Sequence, residues 1–295
     1  MENQEPVYTV SDILDRFQTE YVPTLAVRTQ RDYARHVRDL KVHFGCIKAN
    51  DLRARDFRDF MNVRRGKIQR NKQLAVLSCA FSEAVGRWYY AERNPVRDVK
   101  RHPSRPRDRE VTDAEFDGFK RTVPLRMRLA MDLSVMTGQR QGDILALRWS
   151  QVDVMAGRIR FRQTKTGKRV GIRITPELND LLQRCANLRP EGDFVIRRRD
   201  GDRYTSDGFR AIWQRYQRRW KAAGHERFTY HDLRARAAAK CGSVEEAMLL
   251  LGHQNISMTR RVYDRAERVV NPAGYVAHPQ PTEQPQQAPP STTTF

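Results

Sequence analysis

A histidine and an arginine stand together at the start of a predicted helix in the stretch FTYHDLRA. Thr229 and Asp232 mark the helix N-terminus, which puts His231 and Arg234 three residues apart on one helix face. An imidazole beside a guanidinium near a helix N-terminus suits an anionic group such as a phosphate. An ordinary basic helix turn has the same spacing, so this stretch alone leaves both interpretations open.

A second arginine lies at a break between two apolar helices in TGQRQGDILALRW. Gly138 ends the first predicted helix, Arg140 follows, and Asp143 begins the next apolar run. The carboxylate is then placed to orient the guanidinium, whose planar fork can bind two oxygens of one phosphate. A purely structural pair between Arg140 and Asp143 is the alternative.

A lysine lies near the tip of a predicted β-hairpin in FRQTKTGKRVGIRIT. A flexible ammonium at such a tip can reach a ligand, and it can give its proton to a leaving alkoxide if its surroundings lower its pKa. Lys165 is the candidate, and Lys168 competes for the same role. A solvated turn is the alternative.

A tyrosine follows a glycine and a histidine in the basic run LLGHQNISMTRRVYDR. Gly252 is the predicted C-cap of an apolar helix, His253 comes directly after it, and a new helix start in NISMT carries Tyr263. A free phenol has a pKa of about 10 and is a poor nucleophile at neutral pH, so it needs nearby cations. Taken alone, Tyr263 is expected in the core or on the surface.

Metal ligands are not grouped in the sequence. The seven histidines form no H-E-x-x-H pattern and the carboxylates are scattered among arginines, which argues against a zinc site and a two-metal nuclease. Attack on a phosphodiester without metal needs a nucleophile, cationic donors for the non-bridging oxygens and an acid for the leaving oxygen. The candidates above supply each of these, and we expect neither a metal nor a cofactor.

The composition favours a nucleic-acid partner. The 295 residues include 55 Lys and Arg against 35 Asp and Glu, a formal charge of +20, which repels itself unless a polyanion binds. The basic residues lie on no single amphipathic helix, and no apolar stretch is long enough to span a bilayer, so a membrane partner is not expected. No secretory h-region follows Met1 and the four cysteines lie far apart, which predicts a cytoplasmic protein with reduced thiols.

Hydrophobic periodicity divides the chain into four segments. We predict amphipathic helices over residues 1–95, a basic linker over 96–110, a second domain of helices around one β-hairpin over 111–270, and a disordered Pro/Gln/Thr-rich tail over 271–295. The predicted fold class is therefore mainly α with a small β-sheet (α+β). We expect the linker to follow a DNA backbone through its basic residues, which are Arg97, Lys100, Arg101, Arg105, Arg107 and Arg109.

The order of these elements resembles that of the tyrosine site-specific recombinases, the phage-integrase-like enzymes. The residues that carry the resemblance are Arg140, Lys165, His231-x-x-Arg234, Leu251-Gly252-His253 and Tyr263. The resemblance implies a helical, SAM-like core-binding domain at residues 1–95 and a catalytic domain at 111–270. It also implies double-stranded DNA recombination sites as substrate and a homotetramer on paired DNA, with residues 266–278 contacting a neighbouring subunit.

The resemblance further implies the chemistry. Tyr263 would attack the scissile phosphate, which leaves a 3′-phosphotyrosyl link and a free 5′-hydroxyl. Arg140 and Arg234 would bind the non-bridging oxygens, with Asp143 supporting Arg140. Lys165 would protonate the departing 5′-oxygen, and rejoining would need neither ATP nor metal.

His231 and His253 would assist by hydrogen bonding and proton transfer.

Two features depart from the family pattern. Tyr263 lies ten residues beyond His253, one more than is commonest in the family, which a shifted helix start would absorb. Little sequence precedes the core-binding helices, so a separate arm-site-binding domain is not expected.

Two other functions remain open at the level of sequence. The same chemistry would serve a topoisomerase IB-like or hairpin-forming enzyme, which strand exchange between two duplexes would distinguish from a recombinase. A DNA-binding regulator without catalysis would keep the basic linker, but it has no need for the whole set of catalytic candidates. The sequence therefore favours a site-specific recombinase or integrase.

Overall fold

The computed structural model describes residues 7–104 and 109–263, and for residues 261–263 it describes the backbone alone. The chain separates into two units, Met1–Pro106 and Arg107–Phe295. Mostly helical units with one small sheet confirm the predicted fold class. Within the described residues, no helix is both long enough and apolar enough to cross a bilayer.

The described part of the first unit is helical. Its α-helices, joined by short 3-10 and π segments, are α1 (Val10–Arg16), α2 (Val27–Phe44), α3 (Arg58–Met61) and α4 (Lys67–Glu83). A capping box starts α1, since the Thr9 amide donates to the Asp12 carboxylate at 2.7 Å and the Asp12 amide donates to the Thr9 hydroxyl at 3.2 Å. The apolar stripes predicted from the sequence pack together, with Leu40 of α2 and Leu77 of α4 both fully buried.

Part of the predicted linker is folded. Pro95–Asp98 forms a 3-10 helix whose Val96 is buried in the first unit's core, whereas Arg97, Lys100 and Arg101 are exposed. The Arg109 guanidinium forms ion pairs with the carboxylates of Glu115 and Glu226. Arg105 and Arg107 lie outside the described residues. The linker's contact with DNA stays a prediction.

The described part of the second unit surrounds one small sheet with helices. Its elements are α5 (Asp113–Thr122), α6 (Leu125–Thr137), α7 (Gln141–Ala146), β1 (Val152–Asp153), β2 (Arg158–Arg162), β3 (Arg169–Arg173), α8 (Pro176–Ala186), α9 (Ser206–Ala222), α10 (Asp232–Ala239), α11 (Val244–Leu251) and α12 (Ile256–Tyr263). The sheet has the order β1-β2-β3 and is antiparallel throughout. The predicted hairpin is β2–β3, in which Ile159 pairs with Ile172 and Phe161 with Val170 on the buried face.

An aromatic cluster fixes the segment that leads into α10. Tyr230 is packed edge-to-face against Phe209 and Trp213, and its hydroxyl donates to the Ala130 carbonyl of α6 at 2.7 Å. Burying aromatic rings of this size contributes roughly 2–3 kcal/mol each. The residues that follow Tyr230 are therefore held at a fixed position beside α6.

Two glycines end helices where separate segments of the unit meet. Gly138 caps α6 at φ +65° and Gly252 caps α11 at φ +64°, a left-handed conformation that favours glycine. A Cβ at Gly138 would lie 3.0 Å from the Leu250 side chain, and one at Gly252 would lie 2.7 Å from Gln163 Nε2. The ends of α6 and α11 and the hairpin therefore come together at these glycines.

Candidate active site

Arg234 lies at the meeting point of the two capped helices. Its side chain is only 3% exposed, and its guanidinium donates to the Gly138 carbonyl and, at 2.6 Å, to the Leu251 carbonyl. Both acceptors belong to helix C-termini, which carry partial negative charge. Burial and the neighbouring Arg140 lower the pKa of Arg234 to about 9, with Asp143 partly offsetting them. Arg234 is therefore charged at neutral pH.

Gln163 connects three segments of the site. Its Nε2 donates to Gln139 Oε1 and to the Leu251 carbonyl, each at 2.9 Å, and its Oε1 accepts from Arg140 Nη1 at 2.7 Å. The Leu251 carbonyl thus accepts from both Gln163 and Arg234. Sequence reasoning missed this residue. The available signal was its position, two residues beyond Phe161 in the inward-facing register of β2, where a polar side chain is unexpected.

Arg140 and Asp143 are arranged differently from the prediction. Arg140 precedes α7 in extended conformation, and Gln163 holds its guanidinium. Asp143 Oδ1 instead accepts from the Thr164 amide at 2.8 Å and from its hydroxyl at 2.9 Å. Among the described residues no ion pair joins the two, because the first turn of α7 aims the carboxylate at the hairpin. Any support of Arg140 by Asp143 is therefore indirect, through the residue next to Gln163.

His253 binds both Arg234 and α12. Arg234 Nη2 lies 3.2 Å from His253 Nε2, and His253 Nδ1 lies 3.0 Å from the hydroxyl of Thr259. Because a guanidinium can only donate, Nε2 accepts, so we assign the ring proton to Nδ1, which donates to Thr259. Burial, followed by Arg234 and Arg140, lowers the pKa of His253 to about 4. The imidazole is neutral at pH 7.

The two hairpin lysines are placed differently. Lys168 Nζ donates to the His253 carbonyl at 3.2 Å, whereas Lys165 is exposed in the turn between β2 and β3. The turn is closed by a hydrogen bond from the Gln163 amide to the Lys168 carbonyl at 2.8 Å, which leaves Lys165 at its outer side. The structure brings Lys168 to the cluster, and the role of Lys165 stays a prediction.

His231 precedes α10 instead of lying in its first turns. Thr229 and Asp232 form the predicted contact, with the Thr229 amide donating to the Asp232 carboxylate at 2.7 Å, but the helix begins at Asp232 and His231 is its N-cap. A turn hydrogen bond from the Arg234 amide to the His231 carbonyl, at 3.1 Å, keeps the two residues adjacent. His231 is close enough to lower the pKa of His253.

The candidate nucleophile ends α12. This helix begins at Ile256, where the Asn255 side chain accepts from the Ser257 amide at 2.9 Å, and Tyr263 is its last residue. Thr259 is fully buried and lies four residues before Tyr263, so the two share a helix face. The side chain of Tyr263 and the predicted contact segment 266–278 lie outside the described residues, as does the predicted tail.

The cluster can bind and stabilise an anion. Arg140, Arg234 and Lys168 bring three cations around the neutral His253, and Asp143 is the carboxylate whose charge acts on Arg234. Within residues 7–104 and 109–263, no group of three or more His, Cys, Asp or Glu side chains could hold a metal ion. Fixed guanidinium groups of this kind suit the charge that builds on a phosphate under attack.

The fold of the second unit and the residues gathered in its cluster are those expected of a tyrosine recombinase catalytic domain. Residues 114–268 match the model of the phage integrase family, and the chain belongs to that family.

Known proteins resemble this chain in sequence or in fold. The shufflon-specific DNA recombinase of Escherichia coli is 30% identical over 199 residues, which cover 64% of this chain and 49% of that protein, so the match spans about half of its length. A lambda integrase dimer bound to a COC′ core site has a TM-score of 0.78 at 24% identity, with 91% of this chain and 81% of that chain covered. A lambda integrase tetramer bound to a Holliday junction has a TM-score of 0.75 at 23% identity, with 87% and 80% covered. At these identities the solved structures show the fold alone.

We predict that Gln163→Leu destabilises the protein by about 3 kcal/mol, because Arg140, Gln139 and the Leu251 carbonyl lose a buried partner. The measurement is urea unfolding at neutral pH. Gln183→Leu, at an exposed glutamine of α8, is the matched control and should change stability by less than about 0.5 kcal/mol. Equal effects of the two substitutions would contradict the proposed connecting role of Gln163.

The second prediction concerns acid stability. Because the folded-state pKa of His253 is about 4, below the ordinary value, the unfolded chain takes up a proton first as the pH falls. The free energy of unfolding should therefore drop between about pH 6.5 and 4, by up to roughly 3 kcal/mol. Urea unfolding at several pH values should show a smaller drop for His253→Gln, which keeps a side-chain acceptor for Arg234. An identical pH dependence in both proteins would refute this assignment.

Proposed function

We propose that this chain is a site-specific DNA recombinase that cuts and rejoins double-stranded DNA through a 3′-phosphotyrosyl intermediate, without metal or ATP. One observation carries the proposal. Arg234 and Arg140 come from distant parts of the chain, yet both are positioned at the Leu251 carbonyl beside His253. Arg234 donates to this carbonyl directly, and Arg140 is linked to it through Gln163. A cluster of cations held in this way is suited to a single phosphate, and family membership supplies the reaction.

The two arginines would bind the non-bridging oxygens of the scissile phosphate. Gln163 holds one of the five N–H donors of Arg140, whose side chain is partly exposed, so others can face a ligand. The carbonyls of Gly138 and Leu251 accept hydrogen bonds from Arg234 and orient its guanidinium, which keeps its charge at neutral pH. Both groups are in place before substrate binds, which lowers the reorganisation needed in the transition state.

The reaction exchanges one phosphoester for another. Tyr263 Oη forms a bond to phosphorus as its proton passes to one of the site histidines, the bond from phosphorus to the 5′-oxygen breaks, and that oxygen takes a proton. Lys165 is our proposed proton donor, and Lys168, which contacts the His253 carbonyl, is the second candidate. His231 and His253 assist by hydrogen bonding and proton transfer. Attack by a 5′-hydroxyl on the phosphotyrosine reverses the steps and rejoins the strand.

The assembly and setting follow from the proposed reaction. Lambda integrase has been solved as a tetramer on a Holliday junction, and we propose the same assembly of this chain on paired recombination sites. Residues 1–95 would act as a core-binding domain, residues 96–110 as a DNA-contacting linker and residues 111–270 as the catalytic domain. The setting would be the cytoplasm, where chromosomal and phage DNA are accessible.

Tyr263 itself provides the direct test. On a nicked suicide duplex containing the recombination site, the wild-type protein should form a covalent adduct that Tyr263→Phe does not form, because the phenolic oxygen is the attacking atom. The adduct is measured on denaturing gels. Tyr89→Phe, at an exposed tyrosine of the first unit, is the control and should form the adduct normally. An adduct in Tyr263→Phe at the wild-type level would exclude the proposed nucleophile, and relaxation without strand exchange would favour a topoisomerase-like enzyme.

Thr259 should position the nucleophile. Its hydroxyl accepts from His253 Nδ1 on the face of α12 that Tyr263 shares, so Thr259→Val should slow adduct formation by about tenfold, the effect of losing one buried hydrogen bond. Thr259→Ser keeps the hydroxyl and should restore most of the rate. Single-turnover cleavage measures this, with DNA affinity determined in parallel and expected to be unchanged. If Ser and Val variants cleave at the same rate, the hydrogen bond does not position Tyr263.

A further inference from the structure

The outer face of the hairpin consists almost entirely of arginine. Side chains alternate along a strand, and the residues of β2 and β3 that point away from the core are exposed. We call them the arginine face, and its members are Arg158, Arg160, Arg162, Arg169 and Arg173. None of these five residues is part of the cluster around Arg234.

The arginines of this face oppose each other across the strands. Arg158 pairs directly with Arg173, and Arg162 pairs with Arg169. Directly opposite side chains have Cβ atoms about 4.5–5.5 Å apart, and like charges at that distance destabilise a sheet. In the described part of the chain, Arg160 is the member of the face with an ion pair, to Asp153. The fold therefore carries a repulsion that a bound polyanion would remove.

A glycine opens the centre of the arginine face. Gly171 lies opposite Arg160, and a Cβ at this position would meet no heavy atom within 4 Å. A ligand backbone can therefore approach the strand closely between the surrounding arginines. Outward-facing residues along one strand are about 6.8 Å apart, so successive arginines of the face can contact separate phosphates of one backbone.

We propose that the arginine face binds the sugar-phosphate backbone of DNA, at phosphates other than the one held by Arg140 and Arg234. The hairpin turn joins the two places, because it carries Lys168, which contacts His253, and begins at Gln163, which contacts Arg140. The kind of partner rests on the proposed function. The contact itself concerns binding and involves no step of the reaction.

The test places a charge at the centre of the face. Gly171→Glu puts a carboxylate among the arginines and Gly171→Gln adds a neutral side chain of the same size, and the Cβ of either meets no heavy atom within 4 Å. Binding of the full chain to a fluorescent duplex of random sequence is measured by anisotropy over a range of salt concentrations. We expect Gly171→Glu to weaken binding about tenfold at low salt and to reduce the salt dependence by about one to two released ions, with Gly171→Gln close to wild type.

Thermal unfolding of the free protein distinguishes this effect from misfolding. The carboxylate of Gly171→Glu should raise the unfolding midpoint above that of Gly171→Gln, because it offsets the repulsion between arginines. Weaker DNA binding by a more stable protein supports the proposal. Equal DNA affinity of the Glu and Gln variants overturns it. The same measurement on an RNA duplex is the second comparison, and a difference between the variants on RNA but not on DNA also overturns it. A failure to form the Tyr263 adduct would refute the proposed function and leave this comparison intact.

Discussion

The buried charge of Arg234 is the constraint on which the rest of the second unit depends. Removing a guanidinium from water costs several kcal/mol unless partners replace the lost hydration. Here the partners are the carbonyls of Gly138 and Leu251, at the ends of α6 and α11, together with Nε2 of His253. Both helices can end there because glycine adopts the left-handed conformation at each cap. The charge and the two helix ends therefore stabilise one another.

This arrangement explains why the cluster keeps its positive charge. Asp143 is close enough to influence the pKa of Arg234, but its Oδ1 is engaged by Thr164 and no ion pair within the described residues neutralises either site arginine. The repulsion between Arg140 and Arg234 persists in the free protein, as does the repulsion on the arginine face. Stability alone would select against both features, and under the proposed function bound phosphates would offset both repulsions.

Local patterns predicted the elements of the site but not their connections. The capping glycines at 138 and 252, the hairpin and the spacing of His231 and Arg234 all have signatures within a few residues, and the structure contains each of them. The contacts of Gln163 link it to residues far away in sequence, and glutamine has no local signature for such a role. The same reason explains why Asp143 reaches Thr164 and why Arg109 binds glutamates. Those partners are fixed by tertiary packing.

His253 connects the buried Arg234 to α12, the helix that carries Tyr263. Thr259, whose hydroxyl binds His253, lies one helical turn before Tyr263 in α12. The bond from Arg234 requires the neutral tautomer with the proton on Nδ1, and the Thr259 hydroxyl can accept from it. Protonation of Nε2 would place a cation against Arg234 and remove its acceptor, so the neutral imidazole is the form that binds Arg234 and Thr259 together.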